Sequence, residues 1–300
     1  MTPAPILVLG APYSGTAQMA AAIAEHPGAC LLPELNLFYE QNLGQTLDAQ
    51  ARAQAPVADG LLRVVAQCCF GEQSADAIQR AALFLRRREH WQSAQLLEAL
   101  LQALAPRRAV IVDTVAPLHR YILERWHRAV PQALLVHWVS EPRDQAARMR
   151  TQLAGRLVIT PDFRDRGRAG APLAPQLTWF RSHDLLQSVC ASRKDCYLRI
   201  HASELGRGLP RQRLAGLMQA CAWPAAPAQG WPQYALRDAF RRPGPVNAAG
   251  GFEADFYEDT SLESLLRTRQ SYHPDDEILK PQVRRLNAEL SRPRASATAA

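Results

Sequence analysis

The chain has 300 residues, 47% of them apolar and 21% charged, which is enough for one full core with at most a small appended subdomain. No run approaches the roughly 20 apolar residues of a membrane span, and Met1-Thr2-Pro3-Ala4-Pro5 lacks the basic region of a signal peptide, so a cytoplasmic protein with no membrane association is expected. The formal net charge is +7, with arginine at every basic position except Lys194 and Lys280; this suits an anionic ligand, while scattered basic residues without interleaved aromatics argue against nucleic acid.

The apolar run Ile6–Leu9 reads as the first strand. It enters Gly10-Ala11-Pro12-Tyr13-Ser14-Gly15-Thr16-Ala17, a tight turn with a helix opening near Thr16. Such a layout aims backbone N–H groups and a helix N-terminus at one point, a device for holding phosphate or sulfate. The nucleotide-triphosphatase form is G-x-x-x-x-G-K-[ST], whose lysine reaches the terminal phosphates. Here Gly10 and Gly15 keep the spacing, but Thr16 stands at the lysine position and Ala17 follows. The cradle is present and its cation is missing. An ATP kinase, which needs that lysine and a magnesium carboxylate, is disfavoured.

Downstream, Met19, Ala20 and Ile23 repeat at helical spacing until His26-Pro27-Gly28 stops the helix. A strand at 29–32 leads into Pro33-Glu34-Leu35. Residues 59–104 have helical periodicity, with Leu61, Val64, Val65 and Cys68 on one face and Leu96, Leu97, Leu100 and Leu101 on another. Residues 109–113 read as a buried parallel strand closed by Asp113. A helix at 121–128 follows, then a strand at 133–139 ending in Ser140-Glu141-Pro142-Arg143-Asp144, then a helix through Met149. Residues 160–175, rich in Gly, Pro, Asp and Arg, are expected to form a mobile loop. A helix at 177–189, a strand at 196–201 and helices at 211–222 and 261–269 complete the pattern, before a polar tail.

Alternating strands and helices predict an α/β, three-layer P-loop fold: a central parallel sheet flanked by helices, as one domain over 1–290 with a disordered tail at 291–300. Ligands in such folds bind at the carboxyl ends of the strands, where the Gly10–Thr16 turn lies. The six cysteines include no C-x-x-C pair, as expected of reduced thiols. Metal-ligand spacings are lacking, so no metal is expected. Pro12 stands where a G-x-S-x-G nucleophile elbow would need glycine.

The order of these segments resembles the sulfotransferases that use phosphoadenosine phosphosulfate (PAPS), particularly the bacterial branch serving natural-product assembly lines. The resemblance is carried by the Gly10–Thr16 turn with His26-Pro27 and Pro33-Glu34-Leu35, by Val112-Asp113-Thr114-Val115-Ala116-Pro117, and by Val139-Ser140-Glu141-Pro142-Arg143-Asp144. Trp179-Phe180-Arg181-Ser182-His183 and residues 197–223 extend it over most of the chain. It implies a sulfotransferase-like fold with PAPS as cofactor, its phosphosulfate cradled by Pro12, Tyr13, Ser14, Gly15, Thr16 and Ala17. The acceptor would be a hydroxyl on a small molecule or on an intermediate presented by a carrier protein.

The departures are specific. Tyr13 replaces the lysine or arginine that precedes Ser-Gly-Thr in the family. Ser140 stands where arginine usually contacts the 3′-phosphate, and Arg148 where the partner serine is usual, so Arg148 with Arg143 would supply the charge from the helix; ordinary solvated helix residues are the alternative. Gly250-Gly251 lacks its basic neighbour, with Arg241 and Arg242 upstream, and Thr114 replaces a lysine. The resemblance also implies Glu34 as the general base for the acceptor hydroxyl. His183, in a Ser-His pair on a helix near the same end, is the second catalytic candidate; a core or orienting histidine is the alternative. His119 and Asp113 are further cleft candidates, Asp113 equally a cap or turn former. Two functions follow: sulfuryl transfer from PAPS, or a diverged protein of the same fold that no longer uses PAPS and binds or processes an intermediate or a partner.

Overall fold

The computed structural model describes residues 3–24, 28–52, 59–114, 116–152, 175–190, 196–207 and 279–292. The expected loop at 160–175, the helices at 211–222 and 261–269, the residues from 293 onward, Arg241, Arg242, Gly250 and Gly251 lie outside the described residues.

Five strands, β1 (Ile6–Leu9), β2 (Ala29–Leu32), β3 (Arg108–Asp113), β4 (Leu134–Val139) and β5 (Tyr197–His201), form one sheet in the order β2-β3-β1-β4-β5. All four pairings are parallel, with Leu9 level with Asp113 on one side and His137 on the other. The central strand is buried along its whole length. That burial explains its unbroken Ile-Leu-Val-Leu sequence: a parallel strand covered on both faces has no polar side to alternate with.

Helix α1 (Thr16–Ile23) packs Met19, Ala20 and Ile23 with Ile6, Val8, Val110, Val136 and Trp138 on one face. The larger core contains Leu7, Leu9, Ile111 and Leu135 on the other face. It is closed by α3 (Asp59–Phe70), α4 (Ala75–Arg86), α5 (Ser93–Leu104), α6 (Arg120–Ala129) and α8 (Pro175–Cys190), with α7 (Pro142–Gln152) following β4. This is the expected three-layer arrangement.

The helical pattern over 59–104 is realised as three helices, α3, α4 and α5. Gly71, with φ 76°, turns the chain after α3, and Ser74 caps α4 by accepting from the Ala77 N–H at 3.2 Å. Gln92 and Gln95 then form a reciprocal capping box at α5.

Two helices were not anticipated. In α2 (Leu43–Arg52), Asn42 Oδ1 accepts from the Gln45 N–H at 2.9 Å. In α9 (Pro281–Leu290), Pro281 opens the helix and Val283, Leu286 and Leu290 face Val139 and Trp179. None of the described helices is long and apolar enough to cross a membrane.

Candidate active site

The turn between β1 and α1 is fixed from several directions. A Cβ at Gly10 would lie 2.7 Å from Thr16 Oγ1, 2.9 Å from Ser14 Oγ and 2.9 Å from the Trp138 carbonyl, so only glycine fits. The Ser14 N–H donates to the Ala11 carbonyl at 3.1 Å, and the Ser14 and Thr16 hydroxyls are paired at 2.7 Å. From the next strand, Trp138 Nε1 donates to the Ser14 carbonyl at 2.7 Å; from α7, Gln145 Nε2 donates to the Pro12 carbonyl at 2.9 Å. These bonds occupy the turn's carbonyls. Among the described residues, no side chain caps α1 and no acid stands in its first turn. A helix start of this kind suits an anion.

Tyr13 adopts φ 61°, beside Gly15 at 87°. Its side chain is half-buried, and its phenol makes no hydrogen bond among the described residues. Burial, reinforced by the Glu34 charge within electrostatic reach, pushes its pKa up to about 12. It is a neutral donor at pH 7.

Glu34 follows β2 directly. Its Oε1 accepts from the Thr114 N–H at 3.1 Å and from the Thr114 hydroxyl at 2.5 Å, while Oε2 accepts no hydrogen bond among the described residues. Helix α3 begins hard against it: a Cβ at Gly60 would lie 2.1 Å from the Glu34 carbonyl oxygen. Burial pushes the carboxyl up to about 7, against the Thr114 hydroxyl bond; Asp113 pushes the same way and the Thr114 N–H opposes it. A carboxyl whose pKa lies near neutrality is suited to proton transfer.

Asp113 itself is a turn former. Its Oδ1 accepts from the Ala116 N–H at 2.7 Å and its Oδ2 from Trp126 Nε1 at 2.6 Å. His119 precedes α6, with its ring 6.4 Å from Tyr39 and 5.4 Å from Tyr121.

The second anion candidates sit where β4 gives way to α7. Ser140 is buried, and its Oγ has no hydrogen-bond partner among the described residues. Its carbonyl accepts from Trp179 Nε1 at 2.8 Å. Arg143 is half-buried on the first turn of α7. Arg148 carries a buried Nη1 that makes no hydrogen bond among the described residues; burial pulls its pKa down, and the Asp144 carboxylate opposes that. Ser140 lies two residues beyond Trp138, and Arg148 three beyond Gln145, the two side chains that grip the Gly10–Thr16 turn. Ser140, just past the carboxyl end of β4, thus lies at the same end of the parallel sheet as the turn after β1.

His183 is fully buried on α8. Its Nδ1 lies 2.8 Å from His137 Nε2, and His137 Nδ1 lies 2.6 Å from the Tyr197 hydroxyl. Burial, with His201 nearby, pulls His183 down to about 3, so it is neutral. His183 Nε2 has no partner among the described residues. A bare lone pair there costs less than an orphaned N–H, so His183 Nδ1–H donates to His137, whose Nδ1–H donates to Tyr197.

A family model described as the sulfotransferase family matches residues 5–205. The chain belongs to the sulfotransferase family. Among solved structures, the sulfotransferase domain from the curacin biosynthetic pathway is 19% identical, with a TM-score of 0.69 over 97% of this chain and 98% of that one. The sulfotransferase domain of the Synechococcus PCC 7002 olefin synthase is 18% identical, with a TM-score of 0.66 over 98% of this chain and 97% of that one. A search of curated protein sequences returns no significant match.

Several residues of this sulfotransferase fold went unnoticed in the sequence. Trp138, Gln145 and Gly60 position the loop and Glu34, and no motif marks them. In a further polar chain, Asn287 on α9 donates to Glu141 Oε2 at 3.0 Å, and its Oδ1 lies 3.2 Å from His201 Nε2. This ties α9 to the loop that opens α7. Neither this helix nor its polar partners, more than 80 residues away, stood out in the sequence.

Proposed function

We propose that the chain transfers a sulfuryl group from PAPS to a hydroxyl acceptor, small or presented by a carrier protein. The observation that supports this best is Glu34, a carboxyl near neutrality with one oxygen held by Thr114 and the other unengaged, within electrostatic reach of the phosphate loop. The residues suit the cofactor: the glycine-enforced cradle with its uncapped helix start, and the unpartnered Ser140 Oγ and Arg148 Nη1. Backbone N–H groups of residues 15–17 would hold the phosphosulfate, and Arg148, Ser140 and Arg143 the 3′-phosphate. PAPS, when bound, supplies an activated sulfuryl group. Glu34 Oε2 takes the proton of the acceptor hydroxyl. His183 fixes α8 to β4 through His137 and acts by position rather than by touching the acceptor.

Support for a biosynthetic acceptor comes from the two solved neighbours, both domains of biosynthetic systems. The described cysteines are free thiols, which suits the reducing cytoplasm. The second reading, a diverged protein without PAPS chemistry, is favoured by one observation: Tyr13 is neutral where the family carries a cation.

Calorimetric titration with the desulfated cofactor separates the two. Micromolar binding that weakens at least about tenfold in Arg148→Ala is expected, the loss of one charge-assisted contact. Absence of binding at millimolar ligand overturns the PAPS reading and leaves the second.

A further inference from the structure

We propose that Tyr13 is a catalytic residue of this site, its phenolic hydroxyl replacing the missing cation as hydrogen-bond donor to the oxygen that gains charge when the sulfuryl group departs. The inference rests on the sulfuryl-transfer reading above.

Three independent observations converge on it. Tyr13 immediately precedes Ser14-Gly15-Thr16, on the segment whose flanking carbonyls, Pro12 and Ser14, are gripped by Gln145 and Trp138. Its backbone is left-handed at φ 61°, which costs a bulky residue about 1–2 kcal/mol. Glycine would meet that conformation without the cost, so a retained aromatic side chain points to a use for it. The hydroxyl is also unspent: Thr114 already fills Glu34 Oε1, and Tyr13 makes no hydrogen bond among the described residues.

A neutral donor has a consequence for its neighbour. A lysine or arginine within reach of Glu34 would favour the ionised carboxylate and pull its pKa back towards the ordinary range. The phenol leaves that carboxyl near neutrality, where a general base works best. Among the described residues, the groups facing Glu34 are Tyr13 from the loop, and Asp113 and Thr114 from the end of β3; at Gly60, α3 presents only backbone. Tyr13 keeps its proton throughout. The acceptor oxygen bonds to sulfur, the bonding pair of the broken sulfur–oxygen bond stays on the leaving oxygen, and the acceptor's proton goes to Glu34 Oε2.

Tyr13→Phe and Tyr13→Arg test this with three readouts: turnover, calorimetric affinity for the desulfated cofactor, and carbon-13 titration of Glu34 in the unliganded protein. In Tyr13→Phe, kcat is expected to fall about 10²-fold, as for loss of one transition-state donor. Affinity for the desulfated cofactor should weaken about tenfold, and Glu34 should titrate as in the parent. In Tyr13→Arg the Glu34 midpoint should fall by about one unit or more. Turnover and affinity within about twofold of the parent in Tyr13→Phe overturn the proposal, by the scale of a lost donor. So does a Tyr13→Arg variant that turns over at least about tenfold faster at pH 7, because tyrosine is then an impairment. A parent protein that neither binds the desulfated cofactor nor transfers sulfate removes the sulfuryl-transfer reading along with this one. An active parent with an unaffected Tyr13→Phe removes Tyr13 alone.

Discussion

Glu34 is partly buried and His183 fully buried, and the same force, desolvation, drives both towards the neutral form. Glu34 rises to about 7 and His183 falls to about 3. Their surroundings differ. Glu34 is held at one oxygen, with the other unengaged beside an anion cradle; His183 is closed in a chain of rings ending at Tyr197. A perturbed pKa alone therefore does not mark a catalytic group. Each leaves one atom unengaged among the described residues, Glu34 Oε2 and His183 Nε2. What separates them is that His183 Nε2 is sealed in the core, whereas Glu34 follows β2 at the end of the sheet where ligands bind.

The harshest way to break this contrast is to remove the base. Glu34→Gln keeps the shape and the acceptor oxygen for Thr114 but cannot take a proton. Sulfate transfer is expected to drop by about 10²–10⁴ with the desulfated cofactor still bound. Undiminished turnover would exclude Glu34 as the base. Next in size is Gly60→Ala, whose new Cβ would lie 2.1 Å from the Glu34 carbonyl and must displace the backbone or α3. A loss of more than about tenfold in kcat is expected, since small displacements of a catalytic group are costly. Its thermal melting and kcat, measured together, would show a stability loss without a rate loss if Gly60 matters only for packing.

A smaller effect separates the two groups by the sign of their proton linkage. Between its ordinary 4.5 and about 7, folded Glu34 keeps a proton that the unfolded chain has lost, so its contribution to stability falls as pH rises. Between about 3 and its ordinary 6.5, unfolded His183 holds a proton that the folded chain lacks, so its contribution rises with pH. The two slopes oppose each other between 4.5 and 6.5, each limited to about 1.4 kcal/mol per pH unit. Relative to the parent, Glu34→Gln should make urea stability climb more steeply over this range, and His183→Phe should flatten or invert it. Parallel profiles for all three proteins would refute the opposed linkage.

The fold was more legible than the site, for physical reasons. Strands buried on both faces must be continuous apolar runs, so Ile6–Leu9 and Ala29–Leu32 were read at their observed limits. The turn at Gly10 and Gly15 was readable because steric exclusion and positive φ demand glycine there. Glu34 could be named only through the family resemblance, since its tuning depends on Thr114, 80 positions away. The His183–His137–Tyr197 chain was invisible because three separate elements supply it, and a lone histidine in a strand carries no signal of its partner. Helix α2 escaped for another reason: its apolar stripe is short and its start depends on the single cap of Asn42.

The gentlest perturbation bears on that ring chain. Tyr197→Phe removes only the hydroxyl that lies 2.6 Å from His137 Nδ1 and leaves both histidines in place. If the proton runs from His183 through His137 to Tyr197, the deletion strands a buried N–H on His137. The cost should then be about 1–3 kcal/mol, the penalty of an unsatisfied buried donor, not the smaller net value of one hydrogen bond. If the chain ran the other way, a bare lone pair would be stranded and the loss would sit nearer about 0.5–1 kcal/mol. Urea denaturation distinguishes the cases, and nitrogen-15 shifts of the imidazoles identify the tautomers directly. In either case kcat should stay near that of the parent, because His183 is enclosed and Glu34, across the sheet edge at Thr114, keeps all of its partners.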